Sequence, residues 1–270
     1  MSRPNVGHFG SMGEHTVKAN KKAALAPEPL YKRAEAALIE RLVDGTWRVG
    51  ERLPNEFELA AEFNISQGTM RKALAALEQR GLLHRAPGRG TTVSRTTNEE
   101  SLYAFYRLRD SHGRLAVPET VEETISAREA SDEEHAALRL VNAEVLELSR
   151  VRANGGEPLA VERMVFPAEL CAGMADDLPL PNSLYPYLQD RFGIVVMTAC
   201  ETLTAEPADD RVAAGLGIEV GAPVLAVARQ ARDLAERTVE LRRSWYLTRH
   251  ASYRVELTRA PGSYPATQAV

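Results

Sequence analysis

The run Leu53-Pro54-Asn55-Glu56-Phe57-Glu58-Leu59-Ala60-Ala61-Glu62-Phe63-Asn64-Ile65-Ser66-Gln67-Gly68-Thr69-Met70-Arg71-Lys72-Ala73-Leu74 holds two helix starts with a tight break between them. Asn55 can cap the first helix, and Glu58, three residues on, can bond back to the cap's own amide. Leu59, Ala60 and Phe63 then recur at helical spacing. Asn64-Ile65 interrupts the pattern. Ser66 with Thr69 starts a second helix, which carries Met70, Ala73, Leu74 and Leu77 on its apolar side until Gly81 ends it. Two short helices joined so closely cannot lie antiparallel and must cross steeply, as in a helix-turn-helix.

The second helix presents Ser66, Gln67, Gly68, Thr69, Arg71 and Lys72 around its first turns. Free amides at a helix start attract phosphate, hydroxyls and Gln bond phosphate or base edges, and Arg can grip a guanine with two bonds. Gly68 is a poor helix former, about 1 kcal/mol worse than Ala, and lets a backbone approach closely. By itself this pattern is no more than a capped polar surface helix. The continuation Leu82-Leu83-His84-Arg85-Ala86-Pro87-Gly88-Arg89-Gly90-Thr91-Thr92-Val93 adds two short runs about a Pro-Gly-x-Gly turn, a hairpin that makes a wing with Arg89 at its tip. Such a cation suits a phosphate or a narrow minor groove. Upstream, Pro29-Leu30-Tyr31 opens a helix through Ala34, Leu38, Leu42 and Val43 that stops at Gly45.

With these landmarks, together with Gly50-Glu51-Arg52-Leu53-Pro54 and Glu58-Leu59-Ala60, residues 29–95 resemble the winged helix-turn-helix of the GntR family of bacterial transcription regulators. The resemblance implies double-stranded operator DNA as partner, and contacts from Ser66, Gln67, Thr69, Arg71, Lys72, Arg89 and Gly90. Phe57 and Gln67 stand where the family often carries arginines. Gln favours adenine over guanine, so the operator sequence does not carry over.

The net charge of −4 is unevenly divided: residues 1–95 hold 15 Lys and Arg against 10 Asp and Glu, and the remainder 18 against 27. The basic part is the part with the helix-turn-helix, and the acidic remainder argues against a nucleoid-type protein that coats DNA nonspecifically. A chain of 270 residues, 44% hydrophobic, can hold about two domains. Residues 1–28 lack periodicity and read as a disordered tail, residues 96–117 as a linker and the start of a second domain, 118–260 as that domain, and 261–270 as a C-terminal tail. Cys171 and Cys200 are too few for a disulfide framework, no apolar run reaches the ~20 residues of a membrane span, and no signal-peptide core opens the chain. The expected setting is the bacterial cytoplasm, at the nucleoid, with no membrane partner.

The second domain repeats itself. Asp132 to Glu162 resembles Asp209 to Glu240, each a helix followed by a hairpin: Val145–Ala153 with Leu159–Phe166, and Val224–Ala231 with Thr238–Leu247. Hairpins in one sheet with helices against it give an α+β class. Period-two alternation puts Leu146, Leu148, Arg150 and Arg152 on one face, Ala160, Glu162, Met164 and Phe166 on one, and Glu240, Arg242, Ser244 and Tyr246 on one. Charges that continue an apolar face must be paired or line a cavity. An Arg150–Glu162 pair across a solvated face is the simplest arrangement.

Arg150-x-Arg152, Glu157-Pro158-Leu159-Ala160-Val161-Glu162, Ser183-Leu184-Tyr185, Gly221-Ala222-Pro223-Val224-Leu225 and Val239-Glu240-Leu241-Arg242-Arg243-Ser244-x-Tyr246 make this region similar to the UTRA effector-binding domain of the HutC branch, with its chorismate-lyase-like fold. That resemblance implies a ligand pocket bounded by Arg150, Arg152, Glu162, Ser183, Glu240 and Tyr246. Two arginines suit a phosphate or carboxylate on a small effector. The expectation is a homodimeric repressor without cofactor or catalytic residues, with a lyase-like enzyme on a carboxylated substrate as the alternative that the fold raises. Gly215-x-Gly217-x-x-x-Gly221 is no dinucleotide fingerprint, because it ends a helix and precedes a strand. The six histidines show no metal-ligand spacing, and no nucleophile elbow occurs.

Overall fold

The computed structural model describes residues 28–86, 88–95, 106–249 and 251–257. The readings of 1–27, 96–105 and 261–270 lie outside these residues.

Local signals build the first domain. It comprises α1 (Leu30–Val43), α2 (Glu56–Glu62), α3 (Gln67–Gln79), β1 (Leu83–Ala86) and β2 (Gly90–Val93). Asn55 Oδ1 accepts from the amides of Phe57 and Glu58 at 3.0 Å, and Glu58 Oε2 accepts from the Asn55 amide at 2.8 Å, so the capping box is closed. The chain turns at Asn64, φ +50°, a conformation Asn tolerates better than most residues. Ser66 Oγ then accepts from the Thr69 amide and caps α3. Leu38, Leu59, Met70, Ala73, Leu74 and Leu77 form the core, and Leu83 and Val93 tie the wing to it. The backbone before α2 extends the wing, with the Leu53 amide donating to the Thr91 carbonyl.

The second domain is one antiparallel sheet of six strands in the order β4-β5-β6-β9-β8-β7. Its strands are β4 (Glu119–Glu129), β5 (Glu144–Asn154), β6 (Glu157–Pro167), β7 (Val196–Pro207), β8 (Pro223–Asp233) and β9 (Thr238–Tyr246). The repeat is longer than the sequence suggests: β4, α4 (Asp132–Leu138), β5 and β6 are followed by β7, α6 (Asp210–Leu216), β8 and β9. The copies meet where β6 pairs β9, so the first strand of each copy becomes an outer edge. Gly215 lets α6 lie close to the sheet, since a Cβ there would meet Val161 Cγ2 at 2.6 Å. On the other face lies α5 (Leu184–Phe192), over Leu146, Leu148, Met164 and Phe166. A small ladder of β3 (Leu108–Asp110) and β10 (Ala251–Tyr253) closes one end. No helix among the described residues is long and apolar enough to cross a membrane.

The two domains touch. Leu234, at the tip of the β8–β9 hairpin, is buried in the core cluster of the first domain, with Val195 and Met197 against it. Gln189 Nε2 of α5 donates to the Ser94 carbonyl at 3.2 Å, and Arg95 pairs with Asp190 at 3.0 Å.

Candidate functional site

Ser66, Gln67, Gly68, Arg71 and Lys72 are exposed on the first turns of α3, and Thr69 is half-buried. Space around Gly68 is open, its nearest neighbour to a built Cβ being Ser66 Oγ at 3.9 Å. Arg71 does not float free: its Nε donates to Glu56 Oε1 at 2.8 Å, and Arg85 of the wing lies 4.0 Å from the same carboxylate. Glu56 thus gathers cations from the helix and the wing. Lys72 Nζ sits 3.9 Å above the Tyr31 ring, a cation–π contact that holds it on the α1 side of α3. Arg89 is exposed at the wing tip. Gly90 has an internal role that the sequence did not reveal: its φ is +85°, and a Cβ would stand 2.6 Å from Arg52 Nε, so the glycine lets Arg52 cross the wing.

The second candidate site is a small cavity, open to solvent, among β5, β8, β9 and the start of α5. Arg150, Arg152 and Ser183 line it, together with Tyr106, Asn182, Tyr185, Arg229 and Arg242. The remaining expected residues lie behind this lining. Glu162 is buried beneath Arg152, which donates to it at 3.1 Å. Glu240 is fully buried, accepting from Tyr185 Oη at 2.7 Å and Arg242 Nη2 at 2.6 Å. Tyr246 packs with Leu108, Ala160 and Val227.

The pairing of charges differs from the simplest expectation. Arg150 and Glu162 are direct cross-strand partners in register, yet Arg150 Nε donates to Glu123 Oε2 of β4 at 2.9 Å and Glu162 takes Arg152 instead. Nor is the face solvated, since Arg150 is 1% and Glu162 2% exposed. Glu123 lies opposite Arg150 on the other side of β5, and its second oxygen accepts from the Leu180 amide, which fixes the carboxylate beside the guanidinium. Arg150 Nη2 reaches the Pro181 carbonyl, and Arg152 Nη2 reaches the Pro118 carbonyl and Asn182 Oδ1. The arginines therefore clamp both segments that frame the mouth.

Each cavity arginine has its own carboxylate: Arg150 with Glu123, Arg152 with Glu162, Arg229 with Glu201, and Arg242 with Glu240. Burial would raise the Glu162 carboxyl, but Arg152, Arg242 and Arg150 outweigh it and hold the group below the usual carboxylate range. Burial opposes the charge on Arg242, and Glu240, Tyr185 and Glu162 outweigh it. The network is thus ionised. Three buried polar atoms on the lining residues nevertheless lack a protein partner among the described residues: Arg150 Nη1, Arg152 Nε and Tyr106 Oη. Burial pushes the Tyr106 phenol well above its ordinary pKa, so its hydroxyl stays protonated and able to donate. Unmet donors on buried groups are costly, and several of them around one cavity suit an acceptor-rich anion.

Tyr106, Asn182, Tyr185, Arg229 and Arg242 were not among the expected site residues. Arg229 was within reach of pattern reading, since it faces Arg242 across β8 and β9 and continues that strand's inward face. Tyr106 and Asn182 come from irregular segments, where no periodicity marks them.

A capped helix-turn-helix with a cationic wing, joined to a sheet domain holding an arginine-lined cavity, defines a DNA-binding regulator with a small-molecule site. The sequence profile of the "Bacterial regulatory proteins, gntR family" matches residues 30–93, and that of the UTRA domain matches residues 113–252. The chain belongs to the GntR family, in its UTRA-containing HutC branch, and is a transcription regulator rather than a lyase. The HTH-type transcriptional repressor NagR of Bacillus subtilis is 31% identical over 206 residues, 76% of this chain and 84% of that protein. The HTH-type transcriptional repressor PhnF of Mycolicibacterium smegmatis is 30% identical over 233 residues, 83% of this chain and 91% of that one. The crystal structure of PhnF from Mycobacterium smegmatis superposes with a TM-score of 0.51 at 26% identity, covering 84% of this chain and all of that one.

Proposed function

We propose that the protein is a cytoplasmic repressor that binds a roughly two-fold operator as a homodimer and is controlled by a small metabolite bearing a phosphate or carboxylate. The DNA contacts come from Ser66, Gln67, Thr69, Arg71 and the wing tip at Arg89, with recognition helices about 34–36 Å apart in successive major grooves. Lys72 supplies phosphate attraction from beside Tyr31, and Gly90 keeps the wing in shape. The effector's anionic group meets Arg150, Arg152 and Tyr106 at the cavity wall, with the Ser183 hydroxyl, which makes no cap bond to α5, beside them. Glu162, Glu240 and Tyr246 hold those arginines and the floor in place. The repressor sense follows the names of the similar proteins.

The observation that carries this reading is the trio of unmet donors, Arg150 Nη1, Arg152 Nε and Tyr106 Oη, on residues that line the cavity. A thermal-shift screen of phosphorylated and carboxylated metabolites against their neutral counterparts tests it. A true effector at 100 times its Kd adds about 2.7 kcal/mol of stability. It should also change how strongly the protein retards an operator fragment in a gel assay, and that change should be lost in Arg152→Gln while operator binding itself remains. Stabilisation by neutral compounds alone would refute the anionic assignment.

A further inference from the structure

Among the described residues every aromatic side chain is at least partly covered except one, Phe57, which is 71% exposed. It stands in the first turn of α2 beside Glu56, whose carboxylate bonds Arg71 of α3 and lies 4.0 Å from Arg85 of the wing. At 3.6 residues per turn, Phe57 and Glu62 are about 140° apart round α2. Glu62 turns to α1, where it bonds Arg41, and Leu59 and Ala60 face the core. Phe57 therefore lies on the flank away from α1, beside the exposed first turns of α3.

What α2 offers there is the ring itself and not a phosphate clamp. The Phe57 and Glu58 amides are both taken by Asn55 Oδ1 at 3.0 Å, and Glu56 and Glu58 in the same turn repel a phosphate. One ring, at most ~250 Å², is also far below the ~800 Å² per partner that a stable protein interface needs. On the base edges of the major groove the apolar group is the thymine 5-methyl, which Phe is suited to touch. Gln67, at the start of α3, favours adenine. Both helix starts thus point to A·T pairs.

We infer that Phe57 packs on the 5-methyl of a thymine in the operator half-site and makes the protein select an A·T pair there. This rests on the recognition-helix reading proposed above. The contact carries no charge, so it adds sequence preference without adding to the salt dependence of binding.

The probe is a duplex enriched from a random-sequence pool by the full-length protein. Uracil, which pairs as thymine does but lacks the methyl, replaces each thymine of one half-site in turn, and affinity is read by fluorescence anisotropy. At one thymine the wild-type protein should lose about fourfold in affinity, the worth of one buried methyl group. Phe57→Ala, which leaves the core untouched because the ring is exposed, should ignore uracil at that position and keep every other uracil effect. Its own enriched pool should lose the A·T preference there alone. A uracil scan of Phe57→Ala that matches wild type, or a uniform weakening on all duplexes, would overturn the inference. Arg71→Ala separates the two levels of failure. If it binds the enriched duplex as tightly as wild type, the recognition helix is misassigned and the inference falls with it. If it loses that binding while Phe57→Ala changes nothing, the inference alone falls.

Discussion

Arg150→Met removes a guanidinium whose side chain is wholly buried and which bonds Glu123 at 2.9 Å and the Pro181 carbonyl at 3.0 Å. Methionine fills much of the same space, so the loss is chiefly electrostatic. It leaves the Glu123 carboxylate, itself 10% exposed, with the Leu180 amide as its remaining bond. Stranding one partner of a buried pair costs about 3–5 kcal/mol. Glu123→Gln in the same chain removes the stranded charge, while the Gln carbonyl oxygen can still accept from Leu180. The double variant should therefore return to within about 1–2 kcal/mol of wild type, a coupling that only contacting residues show. Urea denaturation of the full-length protein, with midpoints compared at unchanged m value, measures both. A cost below about 1 kcal/mol for Arg150→Met, or a double variant no more stable than the single, would refute the pairing. Both variants should also lose stabilisation by the anionic effector, because the donor is gone in each.

Other consequences are equally open to measurement. Arg71→Ala should abolish specific operator binding, whereas Arg89→Ala should weaken binding on every sequence and reduce the salt slope by about 1, as gel-shift titrations at several salt concentrations would reveal. Arg128 holds Glu134 near pKa 2, against a usual value near 4.5, with Arg163 assisting. A lowered carboxyl stabilises the fold above its unfolded pKa, and that share, about 3 kcal/mol, disappears as pH falls from about 4.5 to 2. Glu134→Gln should lack this segment of the acid stability profile, and an identical profile would show the contacts to be idle. Gly90→Ala must adopt a left-handed φ and displace Arg52, so a loss of about 1–2 kcal/mol is expected, with faster hydrogen exchange in the wing than in α3.

The helix-turn-helix could be read from the sequence because its determinants are local: Asn55 with Glu58, and Ser66 with Thr69, act within one helical turn. The hairpins β5–β6 and β8–β9 were visible for a similar reason, since their inward faces alternate clearly. The first strand of each repeat was not. Strands β4 and β7 lie at the edges, exposed on much of both faces, so burial imposes little periodicity on them. In the cavity, alternation identified Arg150 and Arg152 but could not say which carboxylate each would take. That choice was made by Glu123, on a strand the sequence did not disclose, and by the fold bringing Pro118 and Pro181 to the same two arginines.

Helix α5 begins at the cavity, where Ser183 and Tyr185 line the wall, and two turns later touches the DNA-binding domain through Gln189 and Asp190. A rigid body shared by two sites obeys reciprocity: any factor by which the effector alters operator affinity is the factor by which operator DNA alters effector affinity. Protein seated on its operator and protein free in solution therefore respond at different metabolite concentrations, and the operator itself helps to set the level at which its gene is released.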